Sequence, residues 1–267
     1  MKPKTELLLY QMLWGANKML QPTLRNLHES FEGWAYRNGL LLQIQRLEAA
    51  GYLESSGEGF DGKRMHRLTE AGRRAALGGR DPERAWSSEW DRKWRLFLFD
   101  VPERERSLRR QLTRSLAGLG CGRLQGSVWI AATLPEGIAA AFPENGEDCA
   151  HLMILEAGSR GPRVDRRMVE VAWDYEEINA SYARHQDIME RFPGEGRRVT
   201  AEALARWAQE ENAAWLAAVR ADPLLPRCLL PKGYRGRRAW RQRKGTLSRA
   251  GRLAEKIMAA GPGAHAG

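Results

Sequence analysis

The sequence predicts an α+β protein in three parts: an N-terminal winged helix-turn-helix, a central ferredoxin-like β-α-β-β-α-β domain and a C-terminal helical domain. Three observations predict this order. Apolar residues recur at helical spacing over residues 1–50, and a hairpin with a glycine-rich tip follows. Short strand-forming runs alternate with helices over residues 92–157. Helical spacing of apolar residues resumes at Val164. A length of 267 residues suits two or three domains of about 100–150 residues.

The first predicted part, residues 1–79, has the pattern of a DNA-binding module. Its third helix carries Leu40, Ile44 and Leu47 at i, i+4 and i+7, which defines a buried stripe. Two short strands follow around a glycine-rich tip at 56–63, and Thr69 is suited to cap the helix that closes the segment. Three helices followed by a two-stranded wing is the order of a winged helix-turn-helix.

The face of the third helix opposite the buried stripe predicts the DNA contacts. Asn and Gln can pair with adenine, an apolar side chain can contact a thymine methyl, and Arg can hold guanine or phosphate. Basic residues at the wing suit phosphate or the minor groove. The predicted contacts with double-stranded DNA are Asn38, Leu42, Gln45, Arg46, Lys63 and Arg64. The alternatives are that these residues are merely solvated, or that the winged domain binds protein.

A linker or loose helix is predicted for residues 80–91, and the ferredoxin-like domain for 92–157. The first strand is rich in aromatic and apolar residues, and the first helix repeats leucine at helical spacing. The expected strands are 94–99, 122–124, 127–131 and 151–155, and the expected helices are 104–119 and 135–142. Strand, helix, two strands, helix and strand is the order of the split β-α-β unit.

Residues 164–260 are predicted to form the helical C-terminal domain, and residues 261–267 a disordered tail. Thr200 is suited to cap one of its helices, and the prolines that follow Asp222 mark a turn-rich joint. A helix rich in basic residues is expected from Arg237 onward.

The positive charge of the chain is concentrated near its C-terminal end. The net charge is +10, and ten Lys and Arg residues lie between 232 and 256 against Glu255 alone. These are Lys232, Arg235, Arg237, Arg238, Arg241, Arg243, Lys244, Arg249, Arg252 and Lys256. A basic surface attracts nucleic acid, a phosphorylated ligand or an acidic membrane face. The alternative is a solubilising charged segment without a partner.

Several classes of protein are disfavoured by the composition. Cys121, Cys149 and Cys228 form no C-x-x-C pair, and the histidines lack the spacing of metal ligands, so no metal site and no cofactor are expected. No run approaches the roughly 18 apolar residues of a membrane span. The N-terminus lacks a signal-peptide core, and we therefore expect a cytoplasmic protein without a membrane partner.

Five short strings, which occur in order between about residues 5 and 240, resemble the PaaX family of bacterial repressors of phenylacetate breakdown. They are WRLFLFDVPE at 94–103, LGCGRL at 119–124 with SVWI at 127–130, AWD at 172–174 with Tyr182, DPLLP at 222–226, and LLP at 229–231 with Gly236. The chain departs from the family where a Trp-Pro-Gly string is usual, because it has Tyr234, Arg235 and Gly236 there.

The resemblance implies a function and an architecture. It implies a winged N-terminal domain, a ferredoxin-like dimerisation domain of the kind seen in the small CRISPR integration subunit, and a helical effector domain. It also implies a homodimer that represses transcription at an operator and is released by an aryl-coenzyme A thioester. Arg235 and Arg238 would then neutralise coenzyme phosphates, and Trp173, Tyr182 and Trp207 would cover the aryl group; the alternative is that these aromatic residues are ordinary core.

Two other functions remain open from the sequence. Asp100 ends the first strand of the ferredoxin-like unit, where the CRISPR subunit carries an aspartate, so a metal-dependent nuclease is one alternative. No second acid, base or nucleophile is arranged around Asp100, and we therefore expect no enzymatic activity and no catalytic residue. The other alternative is an effector-free regulator or interaction module of a defence system.

Overall fold

A computed structural model describes residues 41–56, 65–76, 80–142, 152–194 and 199–260. The described residues form a mixed α+β structure with two antiparallel sheets, which confirms the predicted fold class at that level. The predicted helices of residues 1–40, the tip of the wing, the tail at 261–267, and the site residues Asn38, Lys63 and Arg64 lie outside the described residues.

The described part of the N-terminal segment is a helix, a hairpin and a second helix. In order these are α1 (Leu41–Ala49), β1 (Leu53–Ser56), β2 (Met65–Leu68) and α2 (Glu70–Ala76). The two strands pair antiparallel, with Leu53 opposite Leu68, and both side chains are buried. Ile44 and Leu47 of α1 are buried as well, so two of the three predicted stripe residues are confirmed as core.

A four-stranded antiparallel sheet forms the centre of the chain. The elements are α3 (Pro82–Ser87), β3 (Lys93–Phe99), a 3-10 turn (Glu103–Glu105), α4 (Arg106–Gly118), β4 (Gly122–Gln125), β5 (Val128–Ala131), α5 (Ile138–Ala141) and β6 (Leu152–Gly158). The strand order is β4-β5-β3-β6, so β3 lies between β5 and β6. Segment 80–91, expected as a linker or loose helix, contains the short helix α3.

One face of this sheet packs against α4 and α5. Phe97 and Phe99 alternate along β3 and face one way, because side chains two residues apart in a strand share a face. They meet Leu112 and Leu116, which lie one helical turn apart on α4 and are fully buried. Trp129 of β5 joins the same cluster. This core fixes α4 on the sheet.

The opposite face of the sheet carries a tryptophan pair. The Trp94 indole Nε1 donates to the buried Asp165 carboxylate at 2.8 Å. Trp173 lies 6.3 Å from Trp94 between ring centroids, and its Nε1 donates to the Gly120 carbonyl at 3.2 Å. A Cβ on Gly122 would come within 2.5 Å of the Trp173 ring, so glycine is needed for this close approach.

Helices make up the rest of the chain. They are α6 (Pro162–Ala172), α7 (Tyr175–Glu190), α8 (Ala201–Ala221), a 3-10 turn (Arg227–Leu229) and α9 (Gly236–Ala260). Thr200 caps α8, because its Oγ1 accepts the Ala203 N–H at 3.2 Å, as the sequence predicts. None of the described helices combines the length and the apolar character that crossing a bilayer requires.

The chain divides into two compact units. The first comprises the described residues up to Asp81, with Gln186–Leu216 and the residues from Trp240 onward. The second comprises Pro82–His185 and Ala217–Ala239. Each unit is therefore assembled from segments that are distant in the sequence.

Candidate nucleic-acid interface

Helix α1 presents an exposed face opposite its buried stripe. Leu42 is 64% exposed, although leucine is usually buried, and Gln45 and Arg46 are exposed beside it. Ile44 and Leu47 on the other side are 3% and 1% exposed. The structure therefore places three of the six predicted DNA contacts together on one accessible helix face.

A polar network ties the C-terminal end of α1 to the hairpin. The Glu48 carboxylate accepts a hydrogen bond from the Ser55 hydroxyl and lies 3.1 Å from Nδ1 of His66. Ser55 Oγ is also 3.1 Å from the same imidazole nitrogen, and His66 is buried. Because α1 and both strands share this network, the orientation of the helix on the hairpin is fixed.

The junction between the hairpin and α2 is equally constrained. Thr69 Oγ1 donates to the Gly51 carbonyl at 2.7 Å and accepts the Gly72 N–H at 3.0 Å, so it caps α2 as predicted. A Cβ on Gly72 would lie 2.0 Å from the Tyr52 carbonyl oxygen, which only glycine avoids. Gly51 ends the helical segment with a φ of +70°, a conformation that glycine adopts without strain.

The predicted effector residues fall in different places. Tyr182 and Trp173 are buried in the second unit, whereas Trp207 belongs to the first, where its Nε1 donates to the Ile188 carbonyl at 2.9 Å. Arg235 and Arg238 are exposed in the second unit. The five residues are therefore not brought together within one unit.

A buried carboxylate that the sequence analysis missed organises the surroundings of Tyr182. Asp222 is fully buried, and its Oδ2 accepts the Tyr182 hydroxyl at 2.6 Å and the Tyr234 hydroxyl. Its Oδ1 accepts the Leu224 N–H at 2.8 Å. Burial raises the pKa of Tyr234 far above its usual range, and the adjacent Asp222 charge adds to this. Tyr234 therefore remains protonated and donates to Asp222.

Three aromatic rings surround Tyr234 edge-on. The rings of Trp86, Tyr175 and Tyr182 lie 6.0, 5.9 and 6.0 Å from it between centroids. Among the described residues, the buried Trp86 Nε1 and the buried Tyr175 hydroxyl have no hydrogen-bond acceptor. An unsatisfied buried donor costs about 1–3 kcal/mol, so this cluster favours a ligand that brings acceptors.

Not every basic residue of α9 is exposed to solvent. Arg243 is fully buried, and its Nε donates to the fully buried Glu211 carboxylate at 2.6 Å. Its guanidinium lies 4.7 Å from the Trp215 ring centroid, and Trp215 stacks on Trp240. Arg243 is therefore unavailable to a polyanion, whereas Arg241 and its neighbour Lys244 are exposed.

No group of three or more His, Cys, Asp or Glu side chains with the arrangement of a metal site occurs in the part of the chain that the structure describes. Asp100, the residue on which the nuclease alternative rests, is exposed at the end of β3.

Comparison with known proteins identifies the central part of the chain. Residues 87–169 match the family model described as the PaaX protein central Cas2-like domain. Among solved structures, the uncharacterized protein Rv0674 from Mycobacterium tuberculosis is similar, at 20% sequence identity and a TM-score of 0.46 over 83% of this chain and 84% of that chain. No curated protein matches the chain.

Proposed function

We propose that the protein is a sequence-specific DNA-binding transcriptional regulator, because residues 87–169 match the central domain of the PaaX family. The family points to a regulator rather than an enzyme. The observation that carries the proposal is the exposed face of α1, where Leu42, Gln45 and Arg46 lie opposite a buried stripe in a helix followed by a two-stranded hairpin.

The proposed domain order is that of the sequence analysis. The β1–β2 hairpin after α1 supports a winged helix-turn-helix at 1–79. The antiparallel order β4-β5-β3-β6 supports a ferredoxin-like dimerisation domain at 92–157, since the first strand of the unit lies inside the sheet and the last at its edge. A helical effector domain would occupy 164–260.

The outer strand β6 supports the proposed homodimer. Met153, Ile154 and Leu155 are 61%, 43% and 45% exposed, and β6 pairs with β3 along one edge, with no described strand on the other. An apolar edge strand of this kind is a template for pairing with another chain. A two-fold dimer would present two α1 helices to half-sites about 34 Å apart on an inverted repeat.

The experiment that tests sequence-specific DNA recognition replaces Gln45, the side chain of α1 that is best suited to hydrogen-bond a base. We expect Gln45→Ala to weaken binding to the preferred DNA sequence by about 1–3 kcal/mol and to relax the preference at one base pair, because the bidentate pair with adenine is lost. Binding to random DNA should change little. Fluorescence anisotropy with both duplexes measures this.

The matched control is Gln209→Ala, which removes an exposed glutamine from α8. Equal losses in the two variants, or unchanged sequence preference in Gln45→Ala, would show that α1 does not read the bases.

We further propose that the regulator is a repressor released by an aryl-coenzyme A thioester bound near the Tyr234 cluster. The acceptor-free donors of Trp86 and Tyr175 support a carbonyl-bearing ligand there. Arg235 directly follows Tyr234, its backbone N–H donates to Asn179 Oδ1 at 2.9 Å, and its exposed side chain suits a coenzyme phosphate, as does that of Arg238. Tyr182, whose ring lies 6.0 Å from that of Tyr234 between centroids, would help to shape this site. Trp207 belongs to the other unit and is not part of the proposed site.

Phenylacetyl-coenzyme A at about 100 times its Kd should add about 2.7 kcal/mol of stability and raise Tm by several degrees. The double variant Trp86→Phe with Tyr175→Phe should lose this shift, because both donors are removed. The control variant Trp90→Phe should keep the shift, because the Trp90 indole already donates to the Lys93 carbonyl at 3.0 Å. A wild-type protein stabilised by no acyl-coenzyme A would favour the effector-free alternative.

A further inference from the structure

The second unit contains a cavity of about 640 Å³ that neither the DNA-reading face nor the Tyr234 cluster uses. It lies between α4 and the β4–β5 turn, with Phe99 of β3 in its wall. Its polar lining consists of four arginines and two hydroxyl residues, namely Arg109, Arg110, Arg114, Arg123, Thr113 and Ser127. The volume lies within the roughly 300–1,000 Å³ typical of small-molecule sites.

Backbone carbonyls hold three of these arginines in place. Arg109 Nη2 donates to the Val101 carbonyl at 2.6 Å, and Arg123 Nε donates to the Gly126 carbonyl at 2.9 Å. Arg114 Nε donates more weakly to the Arg110 carbonyl, at 3.3 Å. A carbonyl oxygen orients a guanidinium without neutralising it, and most of the five N–H donors of each arginine remain available.

Carboxylates of the same segment pair with other arginines. Arg106 is 2.9 Å from Glu103, and Arg104 is 3.3 Å from Glu105, both outside the cavity. Among the described residues, none of the four cavity arginines has a carboxylate within 4.0 Å, and no acidic residue lines the cavity. Four like charges in one concave site repel one another, so an anion bound there would be strongly favoured.

We propose that this cavity binds a ligand that carries two or more phosphate groups. The planar guanidinium group of an arginine can donate to two phosphate oxygens at once. Four guanidinium groups therefore offer more hydrogen-bond donors than a single phosphate group can accept. The hydroxyls of Thr113 and Ser127 add neutral donors to phosphate oxygens. Two sources share this chemistry: a free polyphosphate such as a nucleoside triphosphate, and the backbone of nucleic acid.

Isothermal titration calorimetry with sodium tripolyphosphate tests the site directly. The variant Arg110→Gln with Arg114→Gln should bind at least about tenfold more weakly than the wild type, since each charged hydrogen bond contributes that much. The matched control is Arg163→Gln with Arg166→Gln, which removes two exposed arginines from α6 and should bind as the wild type does. Unchanged thermal unfolding would show that both variants are folded.

Two further arms distinguish the sources. If the ligand is a free nucleotide, the cavity variant loses ATP binding and keeps its affinity for random-sequence duplex DNA. If the ligand is the nucleic-acid backbone, the slope of log K against log salt for random DNA falls by about 1.8, or about 0.9 for each of two lost phosphate contacts. Wild-type protein that binds neither, or equal losses in the cavity and control variants, would overturn the proposal. The use of random-sequence DNA also distinguishes a failure of this proposal from a failure of base reading by Gln45, because base reading affects binding to the preferred sequence only.

Discussion

Arg243→Met should lower the free energy of unfolding by about 3–5 kcal/mol, because it leaves the Glu211 carboxylate buried without its counter-ion. Both side chains are 0% exposed, and the Arg243 Nε bonds Glu211 Oε1 at 2.6 Å. The guanidinium also packs on Trp215, so its loss removes a cation–π contact. Urea unfolding measures the change.

Two companion variants separate this cause from a general loss of positive charge. Arg241→Met removes an exposed arginine from the same helix and should change stability by less than about 0.5 kcal/mol. Glu211→Met combined with Arg243→Met should be more stable than Arg243→Met alone, because no buried charge remains. An Arg243→Met protein as stable as Arg241→Met would contradict the buried pair.

The stability of the Arg243→Met variant should also depend on pH. Burial raises the pKa of Glu211 above its ordinary value of 4.5, and Arg243 opposes this rise. Without Arg243 the folded-state pKa rises further. A folded pKa above the unfolded value means that stability falls as pH increases from the unfolded value to the folded one. Arg243→Met should therefore lose stability relative to the wild type as pH rises from about 4.5.

Met153→Glu with Leu155→Glu should dissociate the proposed dimer, because it places charge on the apolar edge strand β6. Without the link between two DNA-binding modules, affinity for an inverted repeat should fall by about 100-fold or more. Light scattering after size exclusion reports the oligomer, and anisotropy reports DNA affinity. The two substitutions leave the β3–β6 hydrogen bonds intact, since both side chains are exposed.

The control for this pair is Val164→Glu with Val171→Glu, which places two carboxylates on exposed apolar positions of α6. Those positions are 42% and 43% exposed, similar to Leu155. The control should remain a dimer with unchanged affinity. A monomeric wild type, or a dimer that survives both β6 substitutions, would show that this strand is not the interface.

Local patterns in the sequence predicted much of the fold. Ile44 and Leu47, the two described residues of the i, i+4, i+7 stripe, are buried as predicted, and Thr69 and Thr200 cap the helices that they were expected to cap. The run of aromatic and apolar residues at 94–99 predicted the position of β3 to within one residue. Each of these signals depends only on neighbours along the chain, which is why it can be read without the fold.

The features that the sequence analysis missed depend on residues far apart in the chain. Asp222 meets Tyr182, 40 positions earlier, and Arg243 meets Glu211, 32 positions earlier. One signal could have identified Arg243 as buried, because it occupies the same face of α9 as Ala239, Thr246 and Ala250 at alternating spacings of four and three. The cavity of four arginines had no such signal, since α4 and the β4–β5 turn meet only in the folded unit.

Selection of duplexes from a random-sequence DNA pool, with the wild type and Gln45→Ala in parallel, tests the DNA-reading face most directly. The expected result is an inverted repeat with half-sites about one helical turn apart for the wild type. The variant should recover the same repeat with the preference relaxed at one symmetric pair of positions. A wild type that enriches no sequence, or a variant that selects an unchanged motif, would contradict the proposal that α1 reads DNA.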